Sequence, residues 1–150
     1  MELASVAFGQ NGKIPARFTC EGENVSPPLA WSGVPAGTRS FALVCSDPDA
    51  PSGTWYHWAA FDIPADRRAL AERVPAGSAA LLQAVNDFGK SGYGGPCPPP
   101  GHGTHHYAFV LYALKVEHLD VAAGAHCREV ERAAKAQAIA TARLTGLYAR

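Results

Sequence analysis

The chain has 150 residues, 47% of them hydrophobic and 17% charged, with Lys plus Arg and Asp plus Glu balanced at 13 each. That length and composition fit one globular domain spanning 1–150 with a sizeable core, and exclude global disorder. With no basic block there is no electrostatic footprint for nucleic acid. The start, MELASVAFGQNGKIP, lacks a basic n-region and an apolar h-region, and no apolar run reaches membrane-spanning length, so a cytoplasmic chain without integral membrane association is expected. Cys20, Cys45, Cys97 and Cys127 show no metal-knuckle spacing, and in that compartment free thiols are the default; a Cys20–Cys97 bridge stays open if their two loops meet.

In chain order, Leu3–Phe8 and Ile14–Thr19 are short strand candidates around a Gln-Asn-Gly turn. CEGENVSPPLAWSGVP is rich in turn formers and reads as an irregular plug ending on Trp31. Ser40–Ser46 is a strand apolar on both faces, and Trp55–Ile63 is the next, closed by Pro64. Residues 66–73 suit one or two helical turns, and 79–86 an extended edge. After a Gly/Pro-rich loop, His105–Val116 gives the longest strand signal. From Gly124 the period changes: Cys127, Val130, Ala134 and Ala138 recur at helical spacing through AHCREVERAAKAQAIA. Alternation returns over Thr141–Tyr148 for a last strand. Many strands and one helix predict an all-β sandwich, or an antiparallel sheet with helical decoration.

The chemistry gathers around residues 92–107, GYGGPCPPPGHGTHHY, where glycines and prolines shape a tight loop that runs into a strand. Residues two apart on a strand share a face. Phe41, Leu43 and Cys45 therefore lead to Asp47; Trp55, His57, Ala59 and Phe61 form a second series; His105, Tyr107, Phe109 and Leu111 form a third. If the first strand is antiparallel to the second, and the second to the third, Asp47, His57 and His105 line one rim. Alone, each is more often part of a satisfied hydrogen-bond network beside a tight turn. Together they suggest a ligand site, with backbone N–H groups at Gly94–Gly95 and Gly101–Gly103 as further donors. His102 and His106 are expected to face elsewhere, His118 and His126 to be solvated, and Cys97 to be the thiol worth testing for reactivity.

DPDAP at 47–51 with WYHW at 55–58, and GPCPPPGHGTHHY at 95–107, resemble the two signatures of the phosphatidylethanolamine-binding protein family, which includes the Raf kinase inhibitor proteins. TCEGENVSPPLAW at 19–31 extends the resemblance to the bacterial YbhB/YbcL-like branch. The resemblance implies a sandwich of two antiparallel sheets with a C-terminal helix and short peripheral helical turns. It also implies an anion pocket for phosphate, phospholipid headgroups, nucleotides or phosphoresidues, a possible regulatory or inhibitory role, and a homodimer. By motif position, Asp47, Asp49, His57, His105 and Tyr107 fall to that pocket and Gly95 through Pro98 to the segment lending it backbone; with the backbone donors, the expected binding residues also include Gly94, Gly95 and Pro96. His106 stands where many members carry arginine, which removes a permanent charge near the rim.

The expected activity is non-enzymatic binding of a small anionic or phosphorylated ligand, with no cofactor and no metal: His105 and His106, adjacent on a strand, cannot readily ligate one ion. The alternatives are a hydrolase using His57 or His105 as general base, and a dimeric scaffold with a vestigial pocket. No serine sits in a nucleophile-elbow context.

Overall fold

A computed structural model describes residues 1–150. In chain order it contains β1 (Glu2–Ala4), β2 (Gly12–Lys13), a 3-10 turn (Ala16–Phe18), β3 (Leu29–Ser32), β4 (Ser40–Asp47), β5 (Trp55–Pro64) and β6 (Ala69–Leu70). β7 (Leu82–Gln83), β8 (His105–Leu114), α1 (Cys127–Gln137) and β9 (Ala138–Tyr148) follow.

The expected sandwich forms. A six-stranded sheet ordered β2-β9-β8-β4-β5-β7 packs against a three-stranded sheet ordered β1-β3-β6. Every pairing is antiparallel except β2 with β9. Between the sheets, Phe41, Leu43, Trp58 and Phe109 meet Leu29 and Trp31. The opposite face of the large sheet carries Ala42, Val44, Ala59 and Tyr112, and α1 covers it with Cys127, Val130 and Ala134. Strand β4 is apolar on both faces because both faces are covered. Burying a large aliphatic or aromatic side chain contributes about 1.5–3 kcal/mol, so this doubly covered strand is the natural spine of the fold.

Several expectations are corrected. Residues 29–32 form a strand, pairing β1 on one side and β6 on the other, rather than an irregular plug. Residues 66–73 contribute β6 instead of helical turns; Ala30 pairs with Ala69, so edge pairing outweighs the helix-favouring composition. The Ile14–Thr19 strand is replaced by β2 and the 3-10 turn, which Pro15 enters at φ −58°. α1 stops at Gln137 and β9 starts at once, because Ala138 and Ala140 pair with Leu114 and Ala113 of β8. His126 is not simply solvated: its Nδ1 accepts the Arg128 N–H at 3.0 Å, capping α1, and its Nε2–H donates to Asp87 at 2.6 Å.

Two corrections bear on the site. β5 and β8 are not neighbours; β4 lies between them, antiparallel to both. The end of β4 therefore meets the starts of both strands, which places all three polar positions on one rim. The pairing of β4 with β5 also slips, from Cys45 opposite Trp58 to Ser46 opposite Tyr56, which leaves His57 as the extra residue of a β-bulge. Ala59 and Phe61 consequently face α1, whereas His57 and Trp58 turn toward the sandwich side. The continuous Trp55-His57-Ala59-Phe61 face does not exist.

Candidate functional site

At this rim the loops after β4, before β8 and around Asn86 enclose a cavity of about 210 Å3. Asp47, His57, His105 and Tyr107 line it, with Trp55 and Phe88 as aromatic walls. Its volume lies below the roughly 300–1,000 Å3 usual for drug-sized ligands, so it suits a small polar group.

Asp47 ends β4 buried, where an unpaired carboxylate would be costly. It has partners on both oxygens: Oδ1 accepts the Asp49 N–H at 2.8 Å, and Oδ2 accepts His105 Nδ1–H at 2.6 Å. The second bond fixes the His105 ring and leaves its Nε2 facing away from the carboxylate. His57 donates Nδ1–H to the Gly94 carbonyl at 2.6 Å. Burial holds His57 below the usual histidine pKa, against the raising effect of the Gly94 bond and the Asp47 charge. At neutral pH it is therefore neutral, and Nε2 remains for whatever enters.

Tyr107 lies between the imidazoles, edge-on to His57 at 5.2 Å and stacked on His105 at 6.4 Å between ring centroids. Burial, helped by the Asp47 charge and opposed by Arg150, pushes its hydroxyl far above the ordinary phenol range, so it keeps its proton. That hydroxyl is buried without a hydrogen-bond partner, and so is Trp55 Nε1 in the same cavity wall. A third such atom, Trp31 Nε1, belongs to the sandwich core away from the site. Leaving a buried donor unpaired costs about 1–3 kcal/mol. Both Tyr107 and Trp55 line the cavity.

The other residues expected at the site lie outside the cavity. Asp49 is on the outer rim, where its Oδ2 accepts both the His106 backbone N–H and its ring Nδ1–H. This hydrogen bond holds the Asp49 carboxyl below its ordinary pKa. Gly94, Gly95 and Pro96 stand behind the wall, and most of the expected backbone nest is already spent. Gly94 N–H donates to the His57 carbonyl, Gly95 N–H to Asn24 Oδ1, and Gly101 N–H to the Arg150 carbonyl. Their glycine character answers a packing demand instead. A Cβ on Gly94 would lie 2.5 Å from the Phe88 ring, and one on Gly95 2.2 Å from the Phe18 carbonyl.

The free-thiol expectation fails for two of the four cysteines. Cys20 is bonded to Cys97, clipping the loop after the 3-10 turn to the cavity lip, and only Cys45 and Cys127 are free, both buried. His106 faces outward as expected. His102, although exposed, turns back toward the site: its Nδ1 lies 2.6 Å from His105 Nε2. Trp55 reaches the cavity wall from its position opposite Asp47 in the β4–β5 pairing. Phe88 is placed by the loop around buried Asn86, whose side chain binds the backbone of Phe88, Lys90 and Gly92; no strand period marks it.

Comparison with known proteins agrees with this architecture. The family model described as phosphatidylethanolamine-binding protein matches residues 4–149. A UPF0098 protein of Methanothermobacter thermautotrophicus is 49% identical, over 100% of this chain and 99% of its own. YbhB of Escherichia coli is 40% identical over 99% of both chains. The crystal structure of E. coli YbcL superposes with a TM-score of 0.93 at 37% identity, covering 99% of this chain and 98% of that one. With the two motifs forming opposite sides of one cavity, the chain belongs to the phosphatidylethanolamine-binding protein family, among its YbhB/YbcL-like members.

Proposed function

We propose that the chain is a binding module whose cavity takes a small oxyanion, such as a phosphoryl group, without turning it over. The observation that carries this reading is the pair of unpartnered buried donors, Tyr107 O–H and Trp55 Nε1–H, at a cavity whose other polar side chains are two imidazoles, Ser52 and the Asp47 carboxylate, both of whose oxygens already accept hydrogen bonds within the chain. Charged hydrogen bonds contribute about 1.5–3 kcal/mol each, so two or three such bonds correspond to micromolar to millimolar affinity. No lysine or arginine lines the cavity, so positive charge would come from protonated histidine.

The hydrolytic alternative loses one possible nucleophile, because Cys97 is held in the disulfide. That bond also weighs against the expected cytoplasmic setting, since disulfides persist mainly in oxidising compartments. No helix is long and apolar enough to cross a membrane.

Sulfate tests the reading well because it stays a dianion across the histidine range. His57 must gain a proton to donate from Nε2, and burial depresses its pKa, so anion binding and proton uptake are linked. Sulfate affinity should rise about three- to tenfold as pH falls from roughly 7.5 to 5.5, a window set by the ordinary histidine pKa near 6.5 and the downward shift. Tyr107→Phe should weaken binding about tenfold at the lower pH. Isothermal titration showing sulfate affinity indifferent to both pH and the hydroxyl would reject the proposal.

A further inference from the structure

The His102–His105 contact joins the buried site to the surface. His105 commits Nδ1–H to Asp47, so in the neutral ring Nε2 is an acceptor, and His102 Nδ1–H donates to it at 2.6 Å. The two rings meet edge-on with centroids 4.9 Å apart. His105 lines the cavity, whereas His102 is exposed.

The backbone beneath His102 is pinned while its surroundings are open. His102 N–H closes a turn on the Pro99 carbonyl, Gly101 N–H donates to the Arg150 carbonyl, and Arg150 Nε–H donates to the Pro98 carbonyl. On either side, Gly101 and Gly103 adopt φ of +75° and +97°, and a Cβ on either would meet nothing within 4 Å. The His102 side chain can therefore leave by rotating about its own bonds, with no backbone movement. For an exposed side chain that is a picosecond-to-nanosecond event.

We propose that His102 is an internal occupant of the oxyanion position on His105, and that ligand binding exchanges its imidazole for a ligand oxygen. The inference rests on the oxyanion reading of the cavity and adds a residue that governs occupancy. The exchange reverses the hydrogen bond, because an oxyanion accepts where His102 donates. His105 takes up a proton from solvent at Nε2 as the ligand enters, and then donates from both nitrogens, to Asp47 on one side and to the ligand on the other. Every ligand must displace one intramolecular hydrogen bond, so the site is weaker than its inward-facing groups alone would make it. It is also closed to a group that cannot outcompete an imidazole N–H.

The test is sulfate titration of the full chain and of His102→Ala and His102→Gln, with side-chain 15N NMR of the histidines. Removing a competitor that contributes one ordinary hydrogen bond should tighten sulfate binding about three- to tenfold in His102→Ala. His102→Gln, which still carries a donor, should fall between the two. Without sulfate, the His105 Nε2 resonance should move toward a free imidazole nitrogen in His102→Ala. With sulfate, the wild-type His105 signal should converge on that of the variant. Equal or weaker binding by His102→Ala, with the wild type binding normally, overturns the exchange and leaves the oxyanion site standing. Sulfate bound by neither chain overturns both.

Discussion

Two carboxylate–imidazole pairs, their aspartates two residues apart and their histidines adjacent, are made of the same groups at nearly the same distance. Asp47 and His105 meet at 2.6 Å, and Asp49 and His106 at 2.7 Å. Their side chains are 5% and 2% exposed in the first pair but 40% and 55% in the second. The difference follows from strand alternation: His105 and His106 are successive residues of β8, so one side chain enters the sandwich as the other leaves it. Contact geometry alone therefore says little about what a pair does. Burial decides it, because desolvation makes a buried group depend on its partner while water replaces the partner of an exposed one.

The sharpest way to break this comparison is to remove the two aspartates in turn. Asp47→Ala leaves a buried imidazole N–H without its acceptor and deletes the acceptor of the Asp49 N–H. Chemical denaturation should show a loss of about 2–6 kcal/mol, from about 1–3 kcal/mol for each of the two donors left unmet. Binding at the cavity should go with it. A loss below about 1 kcal/mol would place Asp47 in the same class as Asp49.

Next in size is the Cys20–Cys97 bond, which supports only the buried side of the comparison, since Cys97 lines the cavity. It closes a loop with a sequence separation of 77, and disulfides typically contribute about 2–4 kcal/mol. Replacing both cysteines by serine should lower stability by that amount and weaken sulfate binding, leaving the His106 ring signals unchanged. Unchanged stability would show that the Cys20 N–H bond to Pro96 already holds the two loops together.

Asp49→Ala should have the smallest effect, about 0–1 kcal/mol. Its sign with pH is fixed: the Asp49 carboxyl is held below its unfolded value by the His106 hydrogen bond, so its contribution is present above pH ~3.9 and fades as pH falls through the lower, folded pKa. In thermal unfolding, the gap between this variant and the wild type should be smaller at pH 3 than at pH 7. A persistent gap would assign the effect to the backbone N–H that Asp49 also accepts.

How much of this was legible beforehand varies with the physics of each element. β4, β5, β8 and α1 were readable because long segments repeat their apolar pattern many times. β6 and β7, two residues each, carry no period and exist only through their partners. The motif histidines were found by strand phase, which holds for β8. On β5, phase misassigned the neighbours of His57, because a bulge is a property of two strands in register and neither strand shows it alone.

The sequence by itself determined the family, the sandwich, the single helix, and the presence of Asp47, His57, His105 and Tyr107 at one site. Local periodicity and motif spacing are written in consecutive residues. Tertiary structure alone decided that β4 runs between β5 and β8, that Cys20 meets Cys97, and that Gly94 and Gly95 serve packing with their N–H groups spent. It also brought His102 onto His105 and left the Tyr107 hydroxyl without a partner. Each of these depends on which groups become close after the chain has closed on itself, where burial sets the cost of an unmet hydrogen bond.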